Sequence, residues 1–255
     1  MGYIIAGESS CGCCARIDRR AVVSGAVAML FAAAARGRAP SVELALPSQV
    51  AGISIPRTPL TRRATELAGS AYPKFLFNHC MRTYLLGALS VRAERVAFDP
   101  QIAFVAASLH DLGLLRGFAS ARGSFEVDGA NRAEALMRQA GRAPAEGRRV
   151  WNAIVAHDMN GVYAAHQSPE AELVNAGAGA DVVGPGDLDR KAVAEVLQAF
   201  PRLEFKRQFT ALLVDHCRRK PTSEIGWLDG LCRRVAPNAS RPSVEREIMD
   251  APYSE

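Results

Sequence analysis

The chain has 255 residues, 49% of them hydrophobic, 22% charged and only 7% aromatic, which suits a globular domain with its own core and excludes a disordered or fibrous chain. Alanine, leucine and arginine outweigh β-branched runs, so helix is favoured over sheet. Much of the formal charge of +5 sits at the start, where Arg16, Arg19, Arg20, Arg36 and Arg38 stand against only Glu8 and Asp18. No basic stripe interleaved with aromatics follows, which argues against nucleic acid as a partner.

Residues 1–39 read as an export signal. Arg19-Arg20 precede an apolar run, Ala21 to Ala35, broken only by Ser24 and Gly25. Small residues close it before Arg36-Gly37-Arg38-Ala39-Pro40. The run is shorter than the roughly 18 apolar residues of a spanning helix, and the layout is that of a cleaved signal. The paired arginines resemble a twin-arginine signal, which makes the twin-arginine export machinery a partner and the periplasm or the exterior the destination. Asp18 before the pair and Val22-Val23 after it depart from that motif. Cleavage is expected between Arg36 and Ser41. An uncleaved helix or anchor is the alternative, and the protein is then cytoplasmic.

Residues 40–59 are punctuated by proline and read as an extended lead-in. A helical domain is expected over 60–235. Thr61 is read as the cap of a first helix reaching Ala71. Phe75 to Val91 carries Leu76, Cys80, Leu85, Leu86 and Leu89 at helical spacing, with His79 in its first turns. Asp99-Pro100 opens the next helix as cap and first-turn proline, which ends at His110-Asp111-Leu112-Gly113. Further helices are expected over Val127–Ala140, Pro144–His157 and Pro169–Val182, then over 188–199, 204–219 and 223–234. The stretch 236–255, rich in proline and serine at its start, is expected to be loosely held. No internal repeat and no β-hairpin is expected.

Of the six cysteines only Cys11 and Cys14, in the N-terminal segment, stand at CxxC spacing, so no zinc knuckle or thioredoxin-like motif is suggested in the domain that follows. Cys11, Cys13 and Cys14 lie in the N-terminal segment, while Cys80, Cys217 and Cys232 are scattered. One disulfide among these last three and buried free thiols are both open.

The chemistry concentrates at His110-Asp111, an imidazole and a carboxylate in apolar surroundings, and at Asp181, inside the uncharged run from Leu173 to Val183. A buried carboxylate costs several kcal/mol unless paired or metal-bound. With His79 these residues offer two imidazoles and two carboxylates from three helices, a set that suits Zn2+, Fe2+ or Mn2+ better than Ca2+ or Mg2+. The bland alternative is a core histidine with two hydrogen-bonded acids.

The order His79, His110-Asp111, Asp181 resembles the HD-domain superfamily of metal-dependent hydrolases. Four blocks, Phe77 to Tyr84, Ser108 to Leu114, Phe125 to Ala130 and Ala178 to Gly184, look like its cyanamide hydratase branch, over residues 58 to about 215. The resemblance implies an all-α HD-domain helical bundle with a metal site at its centre. His79, His110, Asp111 and Asp181 would be the ligands of one divalent ion, Zn2+ first, with Fe2+ or Mn2+ as substitutes. No histidine lies between Asp111 and His157, so the extra ligands of dinuclear members are missing. The implied function is metal-activated hydration or hydrolysis of a small nitrile-like or amide-like substrate.

His157 and Glu126 are the candidate proton carriers, although Glu126 could equally be a solvated acid at a helix start. Asn78, Arg82 and Phe125 are candidates for substrate contact, and Arg82 could instead pair with a carboxylate. Asp128 is read as a helix cap, His166 as a surface loop residue, His216 as a helix C-terminal cation and Lys206-Arg207 as a solvated face. A phosphohydrolase of nucleotides or phosphomonoesters and a non-catalytic metal-binding sensor are the competing functions. A homo-oligomer is compatible with the sequence.

Overall fold

The computed structural model describes residues 46–159, 161–220 and 244–255. The export segment, its cleavage region and the helix expected over 223–234 lie outside the described residues. Among those described, ten α-helices and a single two-stranded sheet are present, so the chain is mostly helical. No helix among them is long and apolar enough to cross a membrane.

The lead-in is more ordered than expected. Gln49–Val50 (β1) and Ile53–Ser54 (β2) form an antiparallel hairpin, with Gln49 opposite Ser54. Its two-residue turn puts Ala51 at φ 48° and Gly52 at φ 75°, the pair of positive angles that matches strand twist. Ala51 carries no turn signature of the Asn-Gly kind, which is why the hairpin is not legible in the sequence.

The first helix, α1, spans Pro59–Ala71 and starts earlier than expected. Thr58 is its cap: the Thr58 hydroxyl accepts from the Thr61 amide at 3.3 Å, and the Thr61 hydroxyl accepts from the Thr58 amide at 2.9 Å. Thr61 is therefore the third residue of a reciprocal cap. Next, α2 spans Lys74–Ala93 and is buried on every side from Phe75 to Ala88, as a helix without a polar face must be. Asp99 caps α3, Pro100–Leu109, through the amides of Gln101 and Ile102. A 3-10 turn, Leu112–Leu114, follows. Ser124 caps α4, Phe125–Gln139, and α5 spans Pro144–Val155. The short α6, Gly161–Gln167, contains His166, which is exposed but helical rather than in a loop. Ser168 caps α7, Pro169–Val182. Then come α8, Arg190–Ala199, and α9, Phe205–Arg219.

Where loose chain is expected, Val244–Asp250 forms α10, and Ile248, Ala251 and Tyr253 are buried. The anchoring is polar as well. Glu255 accepts from Arg202 Nε at 3.1 Å, and Lys206 Nζ donates to the carbonyl of Ala251 at 2.6 Å. Lys206 thus holds α10 instead of facing solvent.

Two glycines set the geometry that matters for the site. A Cβ on Gly177 would lie 1.9 Å from the carbonyl oxygen of Thr83, and one on Gly87 would lie 2.0 Å from that of Leu173. So α2 and α7 touch backbone to backbone. This close approach sets His79 and Arg82 directly opposite Asp181, one turn beyond Gly177.

Candidate metal centre

His79 comes from the buried stretch of α2, His110 from the end of α3, Asp111 from the residue after it, and His157 from just beyond α5. All four are buried. Each histidine has Nδ1 tied to an acceptor. His110 Nδ1 meets the carbonyl of Ala107 at 2.8 Å, and His157 Nδ1 meets that of Ile154 at 2.6 Å. His79 Nδ1 meets Asp181 Oδ2 at 2.7 Å. A carbonyl only accepts, so the nitrogen facing it carries the hydrogen and, in a neutral ring, Nε2 keeps its lone pair. Burial pushes the pKa of His110 down to about 3, despite the opposing pull of Asp111, so its ring is neutral.

These lone pairs converge on one point. His79 Nε2 and His110 Nε2 are 3.2 Å apart. Asp111 Oδ2 lies 3.4 Å from each of them. Tetrahedral ligands on an ion with bonds of about 2.0–2.1 Å stand roughly 3.3 Å from one another. Both oxygens of Asp111 are buried with no hydrogen-bond partner. Two facing acceptors beside an unpartnered carboxylate make an unfavourable cluster without a cation. His79, His110 and Asp111 could therefore hold a metal ion. No family model matches the chain, and no curated protein matches it.

Asp181 is brought to this centre but on its other side. Its carboxylate faces Nδ1 of His79, not Nε2. It accepts from Arg82 Nε and Nη2, each at 2.7 Å, and from Arg202 Nη1 at 2.8 Å. Burial alone would raise its pKa, but Arg82 and then His79 hold it well below the usual carboxylate range. The cation that the uncharged run around Asp181 calls for is thus supplied by guanidinium groups. Arg82 also donates to the carbonyls of Phe200 and Pro201, at 3.0 and 3.2 Å. Of its two sequence readings, pairing with a carboxylate is the one observed.

The rest of the wall is aromatic. Phe205 stacks on the His79 ring at 4.8 Å, and Phe209 lies 5.3 Å from it. Phe125 sets its ring edge-on to His157 at 5.6 Å and to His216 at 5.5 Å. His216 lies in the last turn of α9 as expected, and at 1% exposed it is also part of this packing. His157 Nε2 stands 4.0 Å from Asp111 Oδ1, which puts it beside the cluster.

Glu126 is buried, and its Oε2 has no hydrogen-bond partner. Burial first, and then the neighbouring Asp158, push its carboxyl up to about 9. It is therefore a protonated acid at neutral pH, not a solvated one. Asn78 donates to the carbonyl of Pro201 at 2.7 Å, while its own Oδ1 is buried without a partner. Asp128 does not cap α4. Its carboxylate accepts from the amide of Ser120 at 2.8 Å and from Lys220 Nζ at 2.6 Å. Cys80 is a buried free thiol and Cys217 an exposed one.

Arg202 and Phe205 are contributors that sequence reasoning missed. Arg202 lies in the connection from α8 to α9 and Phe205 is the first residue of α9, and no local signal marks either as near His79.

Proposed function

We propose that the protein is a mononuclear metal-dependent hydrolase or hydratase built on an HD-domain bundle. The observation that carries this reading is the near-tetrahedral spacing of His79 Nε2, His110 Nε2 and the unpartnered Asp111 Oδ2, at 3.2 and 3.4 Å. Nitrogen and carboxylate donors favour Zn2+, with Fe2+ and Mn2+ as alternatives. Such an ion supplies a water nucleophile near neutral pH and polarises the group under attack.

The chain's own residues then divide the remaining work. Three protein ligands leave a coordination position open, the arrangement of catalytic rather than structural sites. His157, whose Nδ1 is held by the Ile154 carbonyl, turns Nε2 toward Asp111 as an acceptor for a proton released there. Glu126 enters the reaction carrying a proton at neutral pH and is the donor for a nascent amine or amide nitrogen. Phe125, Phe205 and Phe209 exclude water around the histidines.

The substrate is a small neutral nitrile-like or amide-like molecule, cyanamide being the nearest by the resemblance. A phosphomonoester needs free cations, whereas Arg82 and Arg202 are both spent on Asp181. The accompanying proposal is export through the segment containing Arg19-Arg20. N-terminal sequencing of periplasmic material tests that part, and a start at Met1 defeats it.

Metal analysis with a substrate screen tests the whole. Purified protein should hold about one equivalent of a transition metal. It should turn over cyanamide or a small nitrile and leave nucleotides intact. Less than about a tenth of an equivalent under gentle preparation sinks the metal reading, and turnover of nucleotides alone sinks the substrate class.

A further inference from the structure

Asp181 has no room for an ion. Its two oxygens already receive four hydrogens, from His79 Nδ1, Arg82 Nε, Arg82 Nη2 and Arg202 Nη1, at 2.7 to 2.8 Å. It also sits at the wrong nitrogen. The ring nitrogens of an imidazole point to opposite sides, so an ion on Nε2 of His79 is out of reach of a carboxylate held on Nδ1. A carboxylate in that place fixes the tautomer and the ring plane, and makes Nε2 a better donor.

Arg202 is in turn gripped from outside the centre. Its guanidinium lies 4.7 Å over the ring of Phe205 and 4.4 Å over that of Tyr253, a sandwich between α9 and the 244–255 segment. Its Nε donates to Glu255 Oε1 at 3.1 Å, and Nη1 donates to both the carbonyl and the carboxylate of Asp181. Tyr253 closes the loop by donating its hydroxyl to the carbonyl of Ala180. A continuous chain of contacts thus runs from Glu255 and Tyr253 through Arg202 and Asp181 to His79.

We infer that Arg202 is a positioning residue of the metal centre: clamped by the 244–255 segment, it fixes Asp181, and Asp181 orients His79 without itself binding the ion. This rests on the reading of His79, His110 and Asp111 as ligands. The distant aspartate of the ligand order is here a support, and the ion has three protein ligands.

Cobalt titration of the metal-stripped full chain, followed by its visible absorption, tests the assignment. His110→Ala should abolish binding. Asp181→Asn and Arg202→Lys should weaken it about 10- to 100-fold, the usual cost of losing a partner that orients a ligand. Both should keep the wild-type absorption envelope, because the ligand atoms are unchanged. Glu255→Gln, at the partly exposed rim, should weaken binding by a smaller factor and leave the melting temperature of the metal-free protein unchanged. That variant and Arg202→Lys decide the matter if Asp181→Asn does not fold. Loss of binding in Asp181→Asn as complete as in His110→Ala, with a changed cobalt spectrum in any residual complex, makes Asp181 a ligand and overturns the inference. Wild-type affinity in both Arg202→Lys and Glu255→Gln overturns it too. Undiminished binding by His110→Ala sinks the metal reading itself, and this inference with it.

Discussion

The Nε2 atoms of His79 and His110 face each other at 3.2 Å, and His110 Nδ1 donates to a carbonyl. With both rings in the neutral form neither Nε2 has a hydrogen to offer the other, and Asp111 beside them brings only more lone pairs. An ion at their centre relieves this arrangement, so binding and folding are coupled. Chelation is expected to lower the melting temperature of the wild-type protein, and restoring Zn2+ should recover it. His110→Ala should be insensitive to both treatments. Differential scanning fluorimetry with and without chelator checks this, and equal shifts in both proteins would count against the site.

The contact between Gly177 and Thr83 is equally specific. A Cβ at Gly177 would meet backbone at 1.9 Å, whereas one at Gly179, two residues on, would meet nothing within 4 Å. Gly177→Ala must push α7 away from α2, at a cost of about 3 kcal/mol or more, the upper end of overpacking penalties. Gly179→Ala should be neutral or stabilise by about 0.5–1 kcal/mol, because alanine suits a helix better than glycine. Urea unfolding of the two variants separates them, and similar midpoints would contradict the packing described for α2 and α7.

What the sequence made legible was mostly local. Asp99-Pro100 and Ser168-Pro169 announce helix starts because capping is a matter of a few neighbouring atoms. His110-Asp111 stands out because an acid in an apolar run demands a partner. The partners themselves are long-range. Nothing near Asp181 says that Arg82 and Arg202, rather than an ion, satisfy it. The hairpin at Ala51-Gly52 is hidden because alanine is a poor sign of positive φ. The packing of 244–255 is hidden because its anchors, Arg202 and Lys206, lie in another part of the chain.

Glu126 carries a pH signature. Burial, with Asp158 adding to it, pushes its carboxyl from an ordinary 4.5 up to about 9. Between those values the unfolded chain has released a proton that the native state keeps. Rising pH therefore favours unfolding across that window. Glu126→Gln removes the titrating group while keeping a neutral side chain of the same shape. The variant should gain stability relative to wild type as pH rises from about 5 to about 8. Urea midpoints at the two ends measure it. Parallel curves would mean that Glu126 is already ionised in the native protein, and its role as a proton donor would fall.

Asp181 titrates in the opposite sense. Desolvation opposes its ionised form, but Arg82 and His79 overcome it and hold the carboxyl well below its ordinary 3.8. The stability this contributes is present above that ordinary value and is lost as pH falls toward the depressed native one. Arg82→Met removes the bidentate partner of a fully buried acid and leaves Arg202 to compensate alone. Breaking a buried pair from one side costs about 3–5 kcal/mol, and the remaining guanidinium should keep the loss toward the lower end at neutral pH. The gap between variant and wild type should then narrow as the solution is acidified below the ordinary carboxylate range, because both proteins lose the ionised Asp181. Urea unfolding across an acid series tests the argument. A gap that stays constant with pH would show that Arg82 acts through packing alone and that its charge does not hold Asp181 ionised.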